Sequence, residues 1–321
     1  MSFWKQSPGP HWSHTFGGFF TQSDPPHIFK ESFEKPSFPY IVLGKEHCID
    51  IYNLLTHHYT MYPRSKVSLT QEQICDFFEK ENCTAIGIYF NLSLVGVVFS
   101  RSLGFLMMGT KSIDNQQIGL IDFFCVNEKQ RKKGVGSKLL HAMAYECSQR
   151  GYVAHLFLKE GMPLTALPPM YSSQYVWRPK KLPAPVNLSN FIRASVELPR
   201  DCPFWNAPTA VHHTKVYECF AFTPSIFVGV TDLFHKAEPG GQRMGEISWV
   251  WYNTKKGTYA DEKLKRVVET VVDSFTDFDM LFMDSALPHD TSIWMKDALF
   301  SYYCWNMHPG TFFKTRPALT F

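Results

Sequence analysis

The stretch that decides the fold runs from Ile121 to Leu140, IDFFCVNEKQRKKGVGSKLL. Apolar residues crowd Phe123 to Val126, the polar pair Asn127-Glu128 ends that run, and a basic, glycine-bearing turn follows from Gln130 to Ser137. A short apolar run closed by such a signal reads as a buried strand. Beyond the turn Val135, Leu139, Leu140, Met143, Ala144 and Cys147 recur at helical spacing up to Arg150-Gly151, a basic last turn with a glycine stop. Exposed amides at a helix start converge on one spot, and the helix dipole makes that spot attractive to anions. Arg131, Lys132, Lys133 and Lys138 reinforce it, while Gly134 and Gly136 let the backbone approach a ligand closely. Strand, loop and helix together predict a phosphate-cradling site.

The rest of the composition is compatible with such a site and excludes several others. With 321 residues the chain can bury a sizeable core, and two globular domains are the natural expectation. Apolar residues make up 45% and aromatics 16%, with 28 Phe, so an ordered protein is expected. A net charge of +3 is too small to argue for nucleic acid, yet it suits an anionic cofactor. The eight cysteines are scattered without a CxxC pair and read as reduced residues of a cytoplasmic protein, with neither a disulfide frame nor a zinc site. No segment reaches the roughly 18 to 20 apolar residues that span a bilayer, and MSFWKQSPGPHW has no secretory h-region. His57-His58 and His212-His213 are adjacent pairs whose side chains diverge, so no metal is expected. No Gly-x-Ser-x-Gly signature argues for a hydrolase.

Strand-like and helix-like segments alternate along the chain. Residues 1 to 37 read as an extended arm rich in Pro, Gly, Ser and aromatics. Tyr40 to Leu43 reads as a strand, Cys48 to Tyr59 and Gln71 to Glu81 as helices, the second capped by Ser68 or Thr70. Strands are expected at Thr84 to Phe90 and Leu94 to Ser100 around an Asn91-Leu92-Ser93 turn, then at Ile118 to Val126 and Ala154 to Leu158. Proline-rich text at Met162 to Pro169 and Arg178 to Pro185 marks a boundary. After it come expected strands at Phe191 to Leu198, Phe220 to Val230 and Gly245 to Tyr252, an amphipathic helix at Tyr259 to Phe275, and short apolar runs at Met280 to Met283 and Tyr302 to Trp305. This order predicts an α/β fold with a mixed sheet, built as two related halves, 1–185 and 186–321, of which only the first has a phosphate loop.

Arg131-Lys132-Lys133-Gly134-Val135-Gly136 is similar to the pyrophosphate loop of the GNAT superfamily of N-acetyltransferases, Arg/Gln-x-x-Gly-x-Gly/Ala. The chain also resembles the narrower N-myristoyltransferase (glycylpeptide N-tetradecanoyltransferase) family. Phe3-Trp4-Lys5-Gln6-Ser7-Pro8-Gly9-Pro10 looks like that family's Phe-Trp-x-Thr-Gln-Pro-Val-Pro arm, and Tyr52-Asn53-Leu54-Leu55 with Tyr59 is similar to its Tyr-x-Leu-Leu-x-x-x-Tyr helix. Ile121-Asp122-Phe123-Phe124-Cys125-Val126 looks like Ile-Asn-Phe-Leu-Cys-Val. Gly161, the Tyr175 to Arg178 cluster, Trp251-Tyr252-Asn253, Phe278-Asp279 and Tyr302-Tyr303-Cys304-Trp305-Asn306 continue the likeness in order.

The resemblance implies two fused GNAT-type halves in pseudo-twofold relation, an acyl-CoA-binding half followed by a peptide-binding half. It implies transfer of a myristoyl group from myristoyl-CoA to the N-terminal glycine of proteins or peptides by a protein that acts as a monomer. Backbone amides of Phe123 and Phe124 would polarise the thioester carbonyl, and the terminal carboxylate of Phe321 would deprotonate the glycine amine. CoA would be held by Phe3, Trp4, Cys125, Val126, Gln130, Arg131, Lys132, Lys133, Gly134, Val135, Gly136 and Ser137. The peptide would meet Tyr59, Tyr62, Tyr175, Trp177, Tyr252 and Asn253. Two departures bear on specificity: the family loop lacks the glycines at Gly134 and Gly136, and Arg64 and Lys66 stand where the family has a run of aspartates. A short acyl-CoA as donor, and an inactive homologue that binds acyl-CoA or acylated termini, remain alternatives.

Overall fold

The computed structural model describes residues 27–29, 32–59, 65–80, 83–102, 107–108, 111–112, 117–164, 169, 171–180, 192–194, 196 and 214–308. Phe3, Trp4, Tyr62, Phe321 and the His212-His213 pair lie outside them. Contacts divide the chain into two compact units, one of residues 1–171 and 301–314, the other of residues 172–300 and 315–321. Among the described residues no helix is long and apolar enough to cross a membrane.

The first unit is a sheet whose parts follow from local signals. Strand β1 (Ile41–Leu43) precedes helix α1 (Cys48–His58), which buries Cys48, Ile51, Leu54 and Leu55 along one stripe. Helix α2 (Gln71–Lys80) opens with a reciprocal cap: Thr70 Oγ1 accepts from Gln73 N at 3.2 Å and Gln73 Oε1 accepts from Thr70 N at 2.9 Å. Strands β2 (Thr84–Phe90) and β3 (Ser93–Ser102) form a hairpin, and both Asn91 and Leu92 adopt the positive φ of a primed turn, +48° and +63°. Strand β4 (Gln117–Val126) pairs antiparallel with β3 and parallel with β5 (Tyr152–Glu160). Helix α3 (Val135–Gln149) makes the crossover between β4 and β5 and buries Leu139, Leu140, Met143 and Cys147 against Ile86 and Val98.

The second unit contains β6 (Tyr171–Pro179), β7 (Ile192–Ala194), β8 (Thr214–Cys219), β9 (Ile226–Ala237), β10 (Gln242–Trp251), helix α4 (Asp261–Phe275), β11 (Met280–Asp284) and β12 (Met295–Trp305). Its strand order is β7-β8-β9-β10-β11-β6-β12, while that of the first unit is β12-β5-β4-β3-β2-β1, β12 passing from the second unit to the first at Ser301. Helix α4 lays Leu264, Val267, Val268, Val271 and Val272 on Val228, Val230, Ile247, Leu281 and Met283. In both units an antiparallel pair, a helix and a parallel strand follow one another: β3-β4-α3-β5 and β9-β10-α4-β11. The fold is mixed α/β, and the repeat of this motif is what the alternating pattern predicted.

Four segments depart from the sequence reading. The strand expected over Phe220 to Val230 is interrupted by a turn at 220–225, because Pro224 has no N–H to give a ladder; the apolar Phe220 and Phe222 had masked the break. Strand β6 occupies text read only as a tyrosine-tryptophan cluster beside a boundary, and β8 was not anticipated. Of the strand expected over Phe191 to Leu198, Ile192–Ala194 is a strand, and residues 191, 195, 197 and 198 lie outside the described residues. Strand β12 is longer than Tyr302 to Trp305, its start at Met295 having been masked by the polar Lys296 and Asp297.

Candidate active site

Strand β4 is irregular next to the glycine-bearing loop. Asp122 pairs with Phe99 and Cys125 with Val97, so Phe123 and Phe124 together oppose the single Val98. Such a bulge leaves one residue out of the ladder and bends the strand. Phe123 has φ +44°, a left-handed conformation that a bulky side chain adopts only when its surroundings impose it. Its ring is buried among Phe77, Phe99 and Tyr59, with centroids at 5.2, 5.6 and 5.9 Å. Its amide donates to Asp122 Oδ1 at 2.7 Å, and Asp122 Oδ2 accepts from buried Arg101 at 2.6 Å. Pairing of β4 with β5 ends at Ile121 and Phe157, and both strands run on beyond that pair. The far end of β4 is thereby released from its parallel neighbour.

At that end His58, Tyr59, Phe124, Cys125, Val126, Gln130, Arg131, Lys132 and Gly136 line a cavity of about 390 Å³, a size suited to part of a small-molecule ligand. Its rim is the start of α3. Gly134 caps that helix at φ +82° and supplies no side chain to the first turn, so the N–H groups of Val135, Gly136 and Ser137 have no side-chain cap. Lys132 and Lys133 are exposed beside them. Gly136 is needed for space: a Cβ there would stand 3.0 Å from Phe124 Cζ.

Arg131 has a different task from a free phosphate clamp. Its Nη2 donates to His58 O at 2.8 Å and its Nε to Val126 O at 3.1 Å, which staples the end of α1 to the end of β4. Asn127 continues the staple, its Nδ2 meeting His58 Nε2 at 3.1 Å while its Oδ1 accepts from Lys129 N at 3.0 Å. Burial first, then His57 and Arg131, lower the His58 pKa and favour the neutral ring, which accepts from the Asn127 amide through Nε2. Lys138 is turned away, its Nζ lying 5.5 Å above the Phe38 ring. The charge expected from it at the cradle therefore falls to Lys132 and Lys133.

Burial pushes the Cys125 thiol up to about 12, so it stays protonated near neutral pH and is no thiolate nucleophile. Tyr59 is also shifted upward, chiefly by burial and then by the Asp122 carboxylate, and it faces the cavity as a neutral phenol.

The first unit thus assembles Tyr59 with Phe123 to Val126 and Gln130 to Ser137. Tyr175, Trp177, Tyr252 and Asn253 belong to the second unit and do not share one surface there. Tyr175 donates to Glu246 Oε1 at 3.0 Å and Trp177 stacks on Phe282 at 6.4 Å, on the face of β6 opposite the core residue Val176. Tyr252 instead packs on that core and meets Tyr259 at 5.0 Å. Asn253 closes a turn by accepting from Lys255 N at 3.0 Å, just as Asn127 accepts from Lys129 N. The loop of the second unit repeats the Asn turn and a Lys-Lys-Gly run, but Asp261 and Glu262 open α4 and repel an anion. Sequence reasoning did not single out His58, Arg101, Asp122 or Asn127, which the structure places around the bulge and the cavity. Arg101 was legible only as a single cation inside an otherwise apolar strand.

Residues 49–172 match the model of the Acetyltransferase (GNAT) family. No curated protein matches the chain in sequence. Among solved structures the chain is similar to N-myristoyltransferase of Saccharomyces cerevisiae with bound myristoyl-CoA, at 11% identity and TM-score 0.65, over 98% of this chain and 93% of that one. A second structure of the yeast enzyme, with myristoyl-CoA and inhibitors, gives TM-score 0.66 at 11% identity over 96% and 89% of the two chains. The bulged strand and basic cradle lie inside the matched segment, and the chain as a whole has the N-myristoyltransferase fold with a GNAT acetyltransferase domain at residues 49–172.

Proposed function

We propose that this protein is an N-acyltransferase that carries a myristoyl group from myristoyl-CoA to the N-terminal glycine amine of a protein or peptide. The observation that carries the reading is the bulge at Phe123 and Phe124, placed in the wall of the same cavity whose rim holds the uncapped amides of Val135 to Ser137. The cradle suits a pyrophosphate, Lys132 and Lys133 add charge beside it, and a thioester following the pyrophosphate into the cavity would meet the bulge. The amine lone pair attacks the thioester carbon, the C–S bond breaks, CoA leaves as thiolate, and the amine proton passes to a base. A protonated Cys125 supports direct transfer without an acyl-cysteine stage.

One feature favours a second reading. Gly134 and Gly136 make the loop more like that of acetyltransferases than of N-myristoyltransferases, which suits a short acyl-CoA. Chain length decides between them, since each buried methylene contributes about 0.8 kcal/mol. The test is mass spectrometry of a glycine-starting peptide incubated with acetyl-, octanoyl- and myristoyl-CoA, alongside calorimetric titration of each donor. Far tighter binding and faster transfer with myristoyl-CoA are expected. Equal affinity for myristoyl- and acetyl-CoA assigns the short-chain reaction, and binding without transfer of any acyl group leaves a binding protein.

A further inference from the structure

We propose that Arg101 and Asp122 form a positioning clamp that fixes the backbone at Phe123 and so presents the amide of Phe124 to the reacting carbonyl. The inference rests on the N-acyltransferase reading above and deepens it. The left-handed conformation of Phe123 is unfavourable for a residue with a Cβ, so something must hold it. Two things do. The ring is wedged between Phe77, Phe99 and Tyr59, and the amide is tied to Asp122 Oδ1 at 2.7 Å.

A carboxylate one residue away could rotate off that amide. Here it is fixed by Arg101 Nη2 at 2.6 Å on its other oxygen. Arg101 lies on β3 two residues beyond Phe99, the register partner of Asp122, and reaches it along the diagonal of the ladder. The guanidinium also sits 5.9 Å from the centroid of Phe77, the ring that packs on Phe123. One aromatic side chain thus supports both the cation and the strained residue.

The clamp changes which donor is available. The Phe123 N–H is spent within the protein, so the role expected for two amides falls on Phe124. Both Asp122 oxygens already accept hydrogen bonds, which suits holding rather than proton abstraction. Asparagine could serve the amide as well as aspartate, but it could not neutralise a buried arginine. The acid therefore goes with Arg101, and the two should be exchangeable only together.

The experiment compares Asp122→Ala with the double variant Asp122→Asn/Arg101→Met. It reads amide hydrogen exchange at Phe123, turnover of a glycine peptide, CoA affinity and melting temperature. Asp122→Ala should expose the Phe123 amide to exchange and lower kcat at least about tenfold, the scale on which a misplaced oxyanion donor acts, with the CoA Kd unchanged within about twofold. The double variant keeps an acceptor and removes the unpaired cation, so it should restore protection of the amide and most of kcat. Wild-type turnover or unchanged Phe123 protection in Asp122→Ala overturns the clamp. A double variant with a protected amide but no recovery of kcat also overturns it and makes Asp122 a chemical participant. Should Asp122→Ala fail to fold, the double variant alone decides between these outcomes. If the wild-type protein transfers no acyl group, the functional reading falls, while Phe123 exchange still accepts or rejects the clamp.

Discussion

The ring of Phe124 lies over Gly136, so close that a Cβ on the glycine would come within 3.0 Å of Phe124 Cζ. The contact joins the exposed side chain of the bulge to the first turn of the helix that forms the cradle. Gly136→Ala removes a flexible residue from a helix and stabilises it by about 0.5–1 kcal/mol, yet it pushes the ring toward the cavity. A higher melting temperature with weaker acyl-CoA binding is the expected signature. Gly136→Asp adds a negative charge to the same place and should weaken CoA by more than tenfold, about 1.4 kcal/mol, in a calorimetric titration.

Gly134 presents the opposite case. It stands at φ +82° with nothing within 4 Å of its missing Cβ, so a substitution there meets strain and no clash. Gly134→Ala should cost about 1–2 kcal/mol of stability, and Gly134→Asn less, because asparagine tolerates the left-handed region. Chemical denaturation of both variants measures the difference; equal losses would mean that conformation is not the cause.

His155 gives the first unit a pH dependence. Burial lowers its pKa to about 3, among Tyr152, Trp305 and Gly119. The folded state thus binds the proton less readily than the unfolded chain. Stability from this group is present in full above about pH 6.5 and is lost as the pH falls toward 3, by up to about 1.4 kcal/mol per pH unit. His155→Gln should flatten the melting curve against pH over that window. An unchanged slope would assign the acid sensitivity to other groups.

In the second unit Arg178 is buried between Glu269 and Asp273, at 2.8 and 2.9 Å, with Trp294 beneath it at 5.2 Å and the indole N–H on Glu269 Oε1 at 2.7 Å. Removing one partner of a buried ion pair strands the others and costs about 3–5 kcal/mol. Arg178→Ala should therefore lower the melting temperature sharply, and Arg178→Ala/Glu269→Gln/Asp273→Asn should recover part of the loss. No recovery would mean that the packing on Trp294, not charge, carries the effect.

The sequence by itself determined most elements of the first unit and the loop from Gln130 to Ser137. The helical spacing from Val135 to Cys147, the Asn91-Leu92 turn, the cap at Thr70 and the glycines of the loop are properties of neighbours in the chain, and such signals survive without knowledge of the fold. The tertiary structure decided what faces the cavity. The bulge exists only because β3 sets Val98 against both Phe123 and Phe124. Asp122 meets Arg101 from 21 residues away, and Arg131 meets the His58 carbonyl from 73 residues away, so no local pattern revealed that one charge holds an amide and the other a helix end. Tyr175 stands on the face of β6 opposite Val176 because strand register, which one residue of slip inverts, chooses the side, whereas Tyr252 follows the end of β10 and packs on the core.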